Sequence, residues 1–286
     1  MSTILITGAA GRIGTLLRHA FAEGAHPAAG SPSVAHPVRC HDAVPPARRL
    51  AGEEWTIGEV TDVDGLATAA RGVRSIVHLA ADGDPKAPWD RLHGPNIAGV
   101  EAVYRAAVLA GVESVVFASS HHASGGHDRD RTPGVDATWP PRPCCRYGVS
   151  KVFGEALGRY HADVHGLSVT CLRIGEFVER PHSELSLRIW VSAGDLVRAF
   201  RAALATRRRY GVHLVCSDNT RSLWQTLESN RRLGYHPEDD AEAYAADVDL
   251  TAPLLPCFQP SAAAGTPDDA GRPGAGGGTD RPERTR

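Results

Sequence analysis

The pair of side chains best suited to proton transfer in this sequence is a tyrosine followed four residues later by a lysine, in Tyr147-Gly-Val-Ser-Lys151. On a helix, residues four apart share a face and their Cβ atoms lie about 5–6 Å apart. An ammonium beside a phenol favours the phenolate, so the pKa of Tyr147 is predicted to fall from about 10 toward neutrality. Tyr147 could then take a proton from a substrate hydroxyl or return one to a carbonyl.

Two serines, Ser119 and Ser120, precede this pair at the end of a predicted buried strand, 114–118. A loop rich in Gly, Asp and Pro separates that strand from the helix that Tyr147 opens. Ser120 can hydrogen-bond the substrate oxygen that Tyr147 deprotonates and hold it near the phenol. The alternative for the two serines is a structural role, in which their hydroxyls cap the end of the strand.

Three glycines at three-residue spacing, Gly8, Gly11 and Gly14, follow a short apolar run at 3–7, and an apolar-periodic helical segment begins at Ile13. In such a strand–turn–helix unit the first glycine allows a sharp turn and the second lets the backbone approach a pyrophosphate. The third lets the helix pack on the strand, and the helix N-terminus offers unpaired N–H groups to the phosphates. This pattern predicts a dinucleotide site, the alternative being an ordinary glycine-rich turn.

Asp42 ends the second predicted strand, which follows a Pro/Ala/Gly loop at 24–37. An acidic residue at this strand end accepts hydrogen bonds from the adenosine ribose hydroxyls and repels a 2′-phosphate, so NAD is favoured over NADP. Another predicted strand, 75–79, ends in Ala80 and Ala81. These small residues leave room for a cofactor at the carboxyl end of that strand.

Predicted strands and helices alternate along most of the chain, which favours a parallel sheet with helices on both faces. We therefore predict an α/β fold with a Rossmann-type doubly wound parallel sheet, in which residues 1–174 bind the nucleotide. Residues 175–259 are predicted to form a small substrate lobe together with the last elements of the sheet. Residues 260–286 contain no large apolar side chain and are predicted to be disordered. Ligands in such sheets lie beyond the carboxyl ends of the strands, where Gly8, Asp42, Ala80, Ser119 and Ser120 should converge.

The composition is that of an ordinary globular protein, with 286 residues, 42% of them hydrophobic, and a formal net charge of −2. This balance favours neither nucleic acid nor an anionic membrane as a partner. No apolar run reaches the length of about 18 residues that a membrane span needs, and no signal peptide is recognisable, so a cytoplasmic location is expected. The six cysteines are interpreted as reduced thiols. No metal site is expected, because the adjacent Cys144 and Cys145 and the fourteen histidines lack metal-ligand spacing.

The motifs TGAAGRIG, VHLAA, FASS, YGVSK and LRIG occur in this order and resemble the extended short-chain dehydrogenase/reductases, the NAD-dependent epimerase/dehydratase group. The resemblance runs over residues 1–249 and is greatest to uronate dehydrogenases, which oxidise the anomeric carbon of galacturonate or glucuronate with NAD to an aldarolactone. It implies that Tyr147 is the base, that Lys151 tunes it and holds the nicotinamide ribose, and that Ser120 positions the sugar. It assigns cofactor contacts to Gly8, Gly11, Arg12, Ile13, Gly14, Asp42, Glu59, Val60, Ala80, Ala81, Ser119, Tyr147 and Lys151. Homo-oligomers are common in this family, so the resemblance also allows self-association.

The chain departs from uronate dehydrogenases where the substrate would bind. That family typically has Asn after the catalytic serine and Ser after the LRIG motif, whereas this chain has His121 and Glu176 there. The arginine that pairs with the sugar carboxylate in the family corresponds to Leu185. A carboxylate substrate needs a cation and is repelled by an added glutamate; Arg180 or Arg188 could supply the cation. His121 could still donate a hydrogen bond to the substrate.

The sequence leaves three functions to compare, and it favours the first. The first is an NAD-dependent oxidoreductase acting on a sugar acid, and the second is a nucleotide-sugar epimerase or dehydratase that keeps NAD bound and recycles it. The third is a non-catalytic dinucleotide sensor. The region after Gly175 is short for a lobe that must hold a nucleotide diphosphate, and the joint presence of Ser120, Tyr147 and Lys151 argues against a sensor. Net release of NADH in the presence of a sugar distinguishes the first function from the second.

Overall fold

The computed structural model describes residues 3–22, 38–206 and 208–250. The predicted loop at 24–37 and the predicted disordered tail at 260–286 lie outside the described residues. Seven parallel strands form one sheet in the order β3-β2-β1-β4-β5-β6-β7. They are β1 (Ile4–Thr7), β2 (Val38–Asp42), β3 (Glu54–Ile57), β4 (Ser75–His78), β5 (Ser114–Ser120), β6 (Ser168–Ile174) and β7 (Tyr210–Val215). The prediction of a doubly wound parallel sheet is confirmed, and the strand order reverses direction between β1 and β4.

Helices cover both faces of this sheet, as the alternation of elements predicts. They are α1 (Arg12–Ala22), α2 (Val63–Ala69), α3 (Trp89–Leu92), α4 (Gly99–Leu109), α5 (Gly125–Arg129), α6 (Arg146–His165), α7 (Glu184–Ile189), α8 (Ala193–Ala205) and α9 (Thr226–Leu233). In the described part of the chain, none of the helices has both the length and the apolar character that crossing a membrane would require.

Two hydrophobic cores, one on each face, hold the sheet between the helices. Successive side chains of a strand point to opposite faces, so Ile4 and Ile6 of β1 enter one core while Leu5 enters the other. The first core is completed by side chains of α1 and α8, among them Phe21 and Phe200. The second core is completed by side chains of α2, α4 and α6. The carboxyl ends of the strands are thereby fixed at one edge, where the site lies.

Helix α4 is preceded by a π-helical turn, His93–Ala98, and by α3. The sequence predicts a loop through Pro95 and a helix that begins only at Asn96, and that boundary is wrong. Proline has no N–H to donate back along a helix. The helical path nevertheless continues through Pro95 as a wider turn, in which the Gly99 N–H donates to the carbonyl of Gly94, five residues back. The same turn directs Asn96 inward, where it is buried.

The segment at 124–142 is predicted as a surface loop, but part of it forms α5 and packs into the molecule. Gly125 and Gly126 of this helix are buried against the side chains of Cys144 and Arg142, in places where a Cβ atom would not fit. Asp128 is also buried, and its Oδ1 accepts the indole N–H of Trp224 at 2.7 Å. The composition of this segment is typical of a loop. The residues against which α5 packs are distant in the sequence, so the local pattern does not reveal them.

Candidate active site

The turn between β1 and α1 has the tight geometry that the glycine spacing predicts. Gly8 has a φ of +72°, and an ideal Cβ atom on it would lie 2.5 Å from the backbone nitrogen of Ala80. A Cβ atom on Gly14 would collide with the carbonyl oxygen of Gly8. The Gly8 N–H donates to the carbonyl of His41 at 2.9 Å, which joins the turn to β2. Glycine is therefore required at both positions, and α1 begins directly behind the turn at Arg12.

A cavity of about 540 Å³ opens beside this turn, between the carboxyl ends of β1, β2 and β4. Seven of the predicted cofactor residues line it, namely Gly8, Gly11, Asp42, Glu59, Val60, Ala80 and Ala81. The Asp42 carboxylate accepts the Ala10 N–H at 2.9 Å through Oδ2 and the Val44 N–H at 3.2 Å through Oδ1. These two hydrogen bonds fix the acidic group at the mouth of the cavity. Arg12 lies nearby with its guanidinium 5.7 Å from the ring centroid of Phe177.

Tyr147 and Lys151 lie on one face of α6, one turn apart, as their spacing predicts. The Lys151 Nζ is 5.4 Å from the ring centroid of Tyr147 and 5.1 Å from that of Phe117. Lys151 is 4% exposed, and burial lowers its pKa to about 8. Its ammonium is therefore charged at neutral pH but easily neutralised above it.

The expected fall in the pKa of Tyr147 is not what the structure gives. Burial raises this pKa to about 12, and a hydrogen bond with Ser120 offsets only part of the rise. The negative charges of Cys145 and Asp82 raise this pKa further. The prediction considered only the ammonium one turn along and left out the burial that the fold imposes on the start of α6.

The two serines at the end of β5 point in opposite directions, because side chains alternate along a strand. Ser120 hydrogen-bonds Tyr147, and its Oγ accepts the His122 N–H at 3.3 Å. The Ser119 hydroxyl instead donates to Glu155 Oε1 at 2.6 Å in the interior. A cofactor contact of Ser119 would therefore have to come from its main chain.

Comparison with known proteins identifies the family of this chain. Residues 4–183 match the NAD dependent epimerase/dehydratase family. The chain belongs to this family. The matched segment contains the glycine turn, Ser120, Tyr147 and Lys151.

Two curated members of the epimerase/dehydratase family illustrate the range of relatives. An L-arabinose 1-dehydrogenase (NAD(P)(+)) of Haloferax volcanii is 36% identical, and the alignment covers 84% of this chain and 98% of that protein. A uronate dehydrogenase of Pseudomonas syringae is 32% identical over 86% of this chain and 85% of that protein. Among solved structures, a glucuronic acid dehydrogenase from Chromohalobacter salexigens superimposes with a TM-score of 0.77 at 29% identity, covering 86% of this chain and 88% of that one.

The residues of this family member fit an NAD molecule in three respects. The glycine turn leaves a cradle that a Cβ atom would fill, and the adjoining cavity has room for a nucleotide. Asp42 offers carboxylate oxygens where the ribose hydroxyls of a dinucleotide lie in such folds. Lys151 reaches the same edge of the sheet with an ammonium that forms no salt bridge within the described part of the chain, although the charge of Glu155 acts on it and raises its pKa. Arg12 and Ile13 lie at the start of α1 and do not line the cavity.

Asn96 is a buried residue of the site that the sequence analysis did not single out. Its amide nitrogen donates to the carbonyl of Asp82 and to Ser150 Oγ, each at 3.0 Å. Its Oδ1 accepts the Asp82 N–H at 2.7 Å, and Ser150 in turn donates to the carbonyl of Tyr147 at 2.7 Å. Asn96 thus ties the segment after β4 to the first turn of α6. A polar residue directly after a proline in a helical pattern was the only sequence signal for this role.

Two predicted substrate residues lie at the expected edge of the sheet. His121 follows β5, and burial lowers its pKa well below the usual value, so its ring is neutral at neutral pH. Glu176 lies two residues beyond the end of β6, next to β5 in the sheet. The Glu176 carboxylate hydrogen-bonds Ser186, and its Oε1 lies 3.8 Å from His182 Nε2.

The position that corresponds to the family's carboxylate-binding arginine faces apolar surroundings here. Leu185 packs against a hydrophobic cluster that contains Trp224. One turn along α7, the Arg188 side chain is buried and pairs with Glu184. The Arg180 guanidinium lies 5.8 Å from the ring centroid of Tyr244. Both arginines that the sequence offered as substitutes thus have contacts within the protein, although the buried Nη1 of Arg188 has no hydrogen-bond partner among the described residues.

Proposed function

We propose that this protein is an NAD-dependent dehydrogenase that oxidises the anomeric carbon of a monosaccharide to a lactone. The observation that carries the proposal is the meeting of Ser120, Tyr147 and Lys151 at the edge of the sheet that also bears the glycine turn. The presence of both uronate and arabinose 1-dehydrogenases among the relatives supports this reaction class.

The proton is moved by the residues of α6 and β5. Ser120 holds the substrate oxygen beside the phenol of Tyr147, and Tyr147 accepts the hydroxyl proton. Because burial makes the free phenol a weak acid, the phenolate must be stabilised within the site. Lys151 supplies a positive charge one turn away, and its burial strengthens this interaction. Bound NAD⁺ supplies the hydride acceptor for the same carbon and a second positive charge.

We place a neutral aldose ahead of a sugar acid as the substrate. Leu185 lies in an apolar cluster, Arg188 is paired with Glu184, and the carboxylate of Glu176 lies near the end of β6. The carboxylate of a sugar acid would be repelled by that of Glu176, whereas the hydroxyl groups of a neutral sugar can donate hydrogen bonds to Glu176. The sugar acid remains the second candidate because three relatives are uronate dehydrogenases.

The test follows NADH formation with purified protein, NAD and L-arabinose, D-galacturonate or D-glucuronate. We expect NADH to accumulate with a neutral sugar at a higher kcat/KM than with either uronate. The variant Glu176→Gln removes the negative charge and should reduce the difference in kcat/KM between the neutral sugar and the uronates. A higher kcat/KM for uronates in the wild type would contradict the substrate assignment. Turnover of a nucleotide sugar without net NADH would contradict the dehydrogenase itself and favour an epimerase.

Self-association in the cytoplasm is the remaining part of the proposal. Four apolar side chains, Val149, Phe153, Tyr160 and Val164, form an exposed stripe along α6 at helical spacing. Such a stripe suits a second copy of the chain, and sedimentation of the wild type beside Phe153→Glu tests this.

The five cysteines in the described part of the chain are free thiols, as a reducing compartment requires.

A further inference from the structure

A cluster of one histidine and two cysteines lies beside the first turn of α6 and has no part in the proposed mechanism. His122 belongs to the short 3-10 turn after β5, and Cys144 and Cys145 directly precede α6. The His122 Nδ1 lies 3.2 Å from Cys144 Sγ and 3.6 Å from Cys145 Sγ. All three atoms lie within 4.8 Å of one another. The sequence predicts no metal site here because the two cysteines are adjacent and the histidines lack metal-ligand spacing.

These distances match those within a tetrahedral metal centre. With Zn–S bonds of about 2.3 Å and a Zn–N bond of about 2.0 Å, a ligand nitrogen and a ligand sulfur lie about 3.5 Å apart. The two observed N–S distances differ from this value by a few tenths of an ångström. A set of two thiolates and one imidazole suits zinc and other thiophilic cations, and it leaves a fourth position for water.

The backbone around the cluster holds the three side chains in place. The Cys144 N–H donates to the carbonyl of His122 at 3.2 Å, which joins the two ligand segments. Gly148 lets this carbonyl approach α6, and Gly125 leaves space for the Cys144 side chain, since a Cβ atom on either glycine would collide there. Cys145 caps α6 by accepting the Gly148 N–H at 3.4 Å. Ligands that are fixed before the ion arrives need little reorganisation to bind it.

We propose that His122, Cys144 and Cys145 form a binding site for a thiophilic divalent cation such as Zn²⁺, next to the catalytic tyrosine. The His122 ring contacts the Tyr147 ring edge to face, with their centroids 5.5 Å apart. An ion on Nδ1 would therefore fix the ring that packs against Tyr147. It would also join the segment after β5 to the start of α6.

The test titrates the metal-free, reduced full-length protein with Co²⁺ under anaerobic conditions. Tetrahedral Co²⁺ bound to thiolates gives strong visible bands and a sulfur-to-metal charge-transfer band in the near ultraviolet. We expect these bands to saturate at one Co²⁺ per chain and to disappear when Zn²⁺ displaces it. This readout needs neither NAD nor sugar, so it is independent of the proposed dehydrogenase function.

Two variants locate the ion. His122→Phe keeps a ring against Tyr147 but removes the nitrogen ligand, and Cys145→Ser keeps a good helix cap but removes a thiolate. Both should bind Co²⁺ on the order of 100-fold more weakly, whereas Cys257→Ser, outside the described residues, should bind as the wild type does. Circular dichroism checks that each variant is folded.

A second measurement reports the cysteines directly. Zn²⁺ should slow the alkylation of Cys145 by iodoacetamide about tenfold in the wild type, as read by mass spectrometry of the peptides, and should have no such effect in His122→Phe. Absence of thiolate bands in the wild type would overturn the proposal. Bands of equal strength in His122→Phe and Cys145→Ser would overturn it as well.

Discussion

Lys151 is buried and Tyr147 is half-buried, and this loss of solvent opposes the charge that each of them must carry for proton transfer. Burial raises the pKa of the phenol to about 12 and lowers that of the ammonium to about 8. Each group thus needs the opposite charge of the other to be stable in its reactive form. Burial also strengthens their mutual attraction, since it removes the screening by solvent.

Replacing Tyr147 by Phe should abolish proton transfer while preserving the cavity at the glycine turn. We expect the rate of NADH formation to fall by about 10²–10⁴, the usual contribution of a general base. The affinity for NAD should change less than about threefold, because the substitution removes only a hydroxyl and leaves the glycine turn and Asp42 intact. Steady-state rates and fluorescence titration with NADH measure the two effects. A variant with near-normal turnover would remove Tyr147 from the mechanism.

Lys151 is predicted to lower the stability of the protein, because its charged ammonium is buried. Replacing it by Met should raise the free energy of unfolding of the NAD-free protein at pH 7 by about 1–3 kcal/mol while turnover is lost. The folded pKa of about 8 lies below the unfolded value of about 10.4, so the unfolded state binds more protons between these values. The wild type therefore gains stability as pH rises through that window.

The excess of the free energy of unfolding of Lys151→Met over that of the wild type should accordingly decrease between pH 8 and pH 10. Urea unfolding of both proteins at pH 7, 8.5 and 10 measures this difference. An advantage that grows with pH would show that the folded protein does not depress the pKa of Lys151.

Helix α6 is anchored to the sheet by a buried ion pair between Glu155 and Arg173 of β6. The guanidinium donates to both Glu155 oxygens, at 2.9 and 2.7 Å, and also to Ser124 Oγ at 2.8 Å. Ser119 donates to the same carboxylate. This network therefore joins β5, β6 and α6 directly behind Ser120.

Arg173→Met should destabilise the protein by about 3–5 kcal/mol, because it leaves the Glu155 carboxylate buried without its partner. Adding Glu155→Leu should restore at least half of this loss. Arg159→Met provides the matched control, since Arg159 pairs with Asp163 on the exposed side of the same helix and should cost about 0.5 kcal/mol or less. Urea midpoints with constant slopes measure all four proteins. Equal losses in Arg173→Met and Arg159→Met would contradict the anchoring role.

The whole molecule should be stabilised when NAD joins the two halves of the sheet at the strand ends. NAD at 100 times its Kd adds about 2.7 kcal/mol to the free energy of unfolding. For a protein of this size that corresponds to a rise in Tm on the order of 5–10 °C. NADP should give a smaller rise because Asp42 repels the 2′-phosphate, and Asp42→Asn should reduce the difference between the two. Thermal scans with each cofactor test this, and equal shifts in the wild type would contradict the NAD preference.

The sequence was sufficient for the features that depend on local pattern. The glycine spacing predicted the turn at Gly8, the alternation of elements predicted the sheet, and the four-residue spacing placed Tyr147 and Lys151 on one face. The family motifs cover these same segments, and the match over residues 4–183 confirms the family. Each of these depends on neighbours within one or two turns or on residue type alone.

Tertiary structure decided what depends on burial and on partners distant in the chain. It raised the pKa of Tyr147 and placed the Ser119 hydroxyl in a hydrogen bond to Glu155. It also turned Asn96 inward through a π-helical turn. It also brought His122 to the two cysteines. The physical reason is that desolvation and packing arise only when segments far apart in sequence close around a group, and no local pattern records which segments these are.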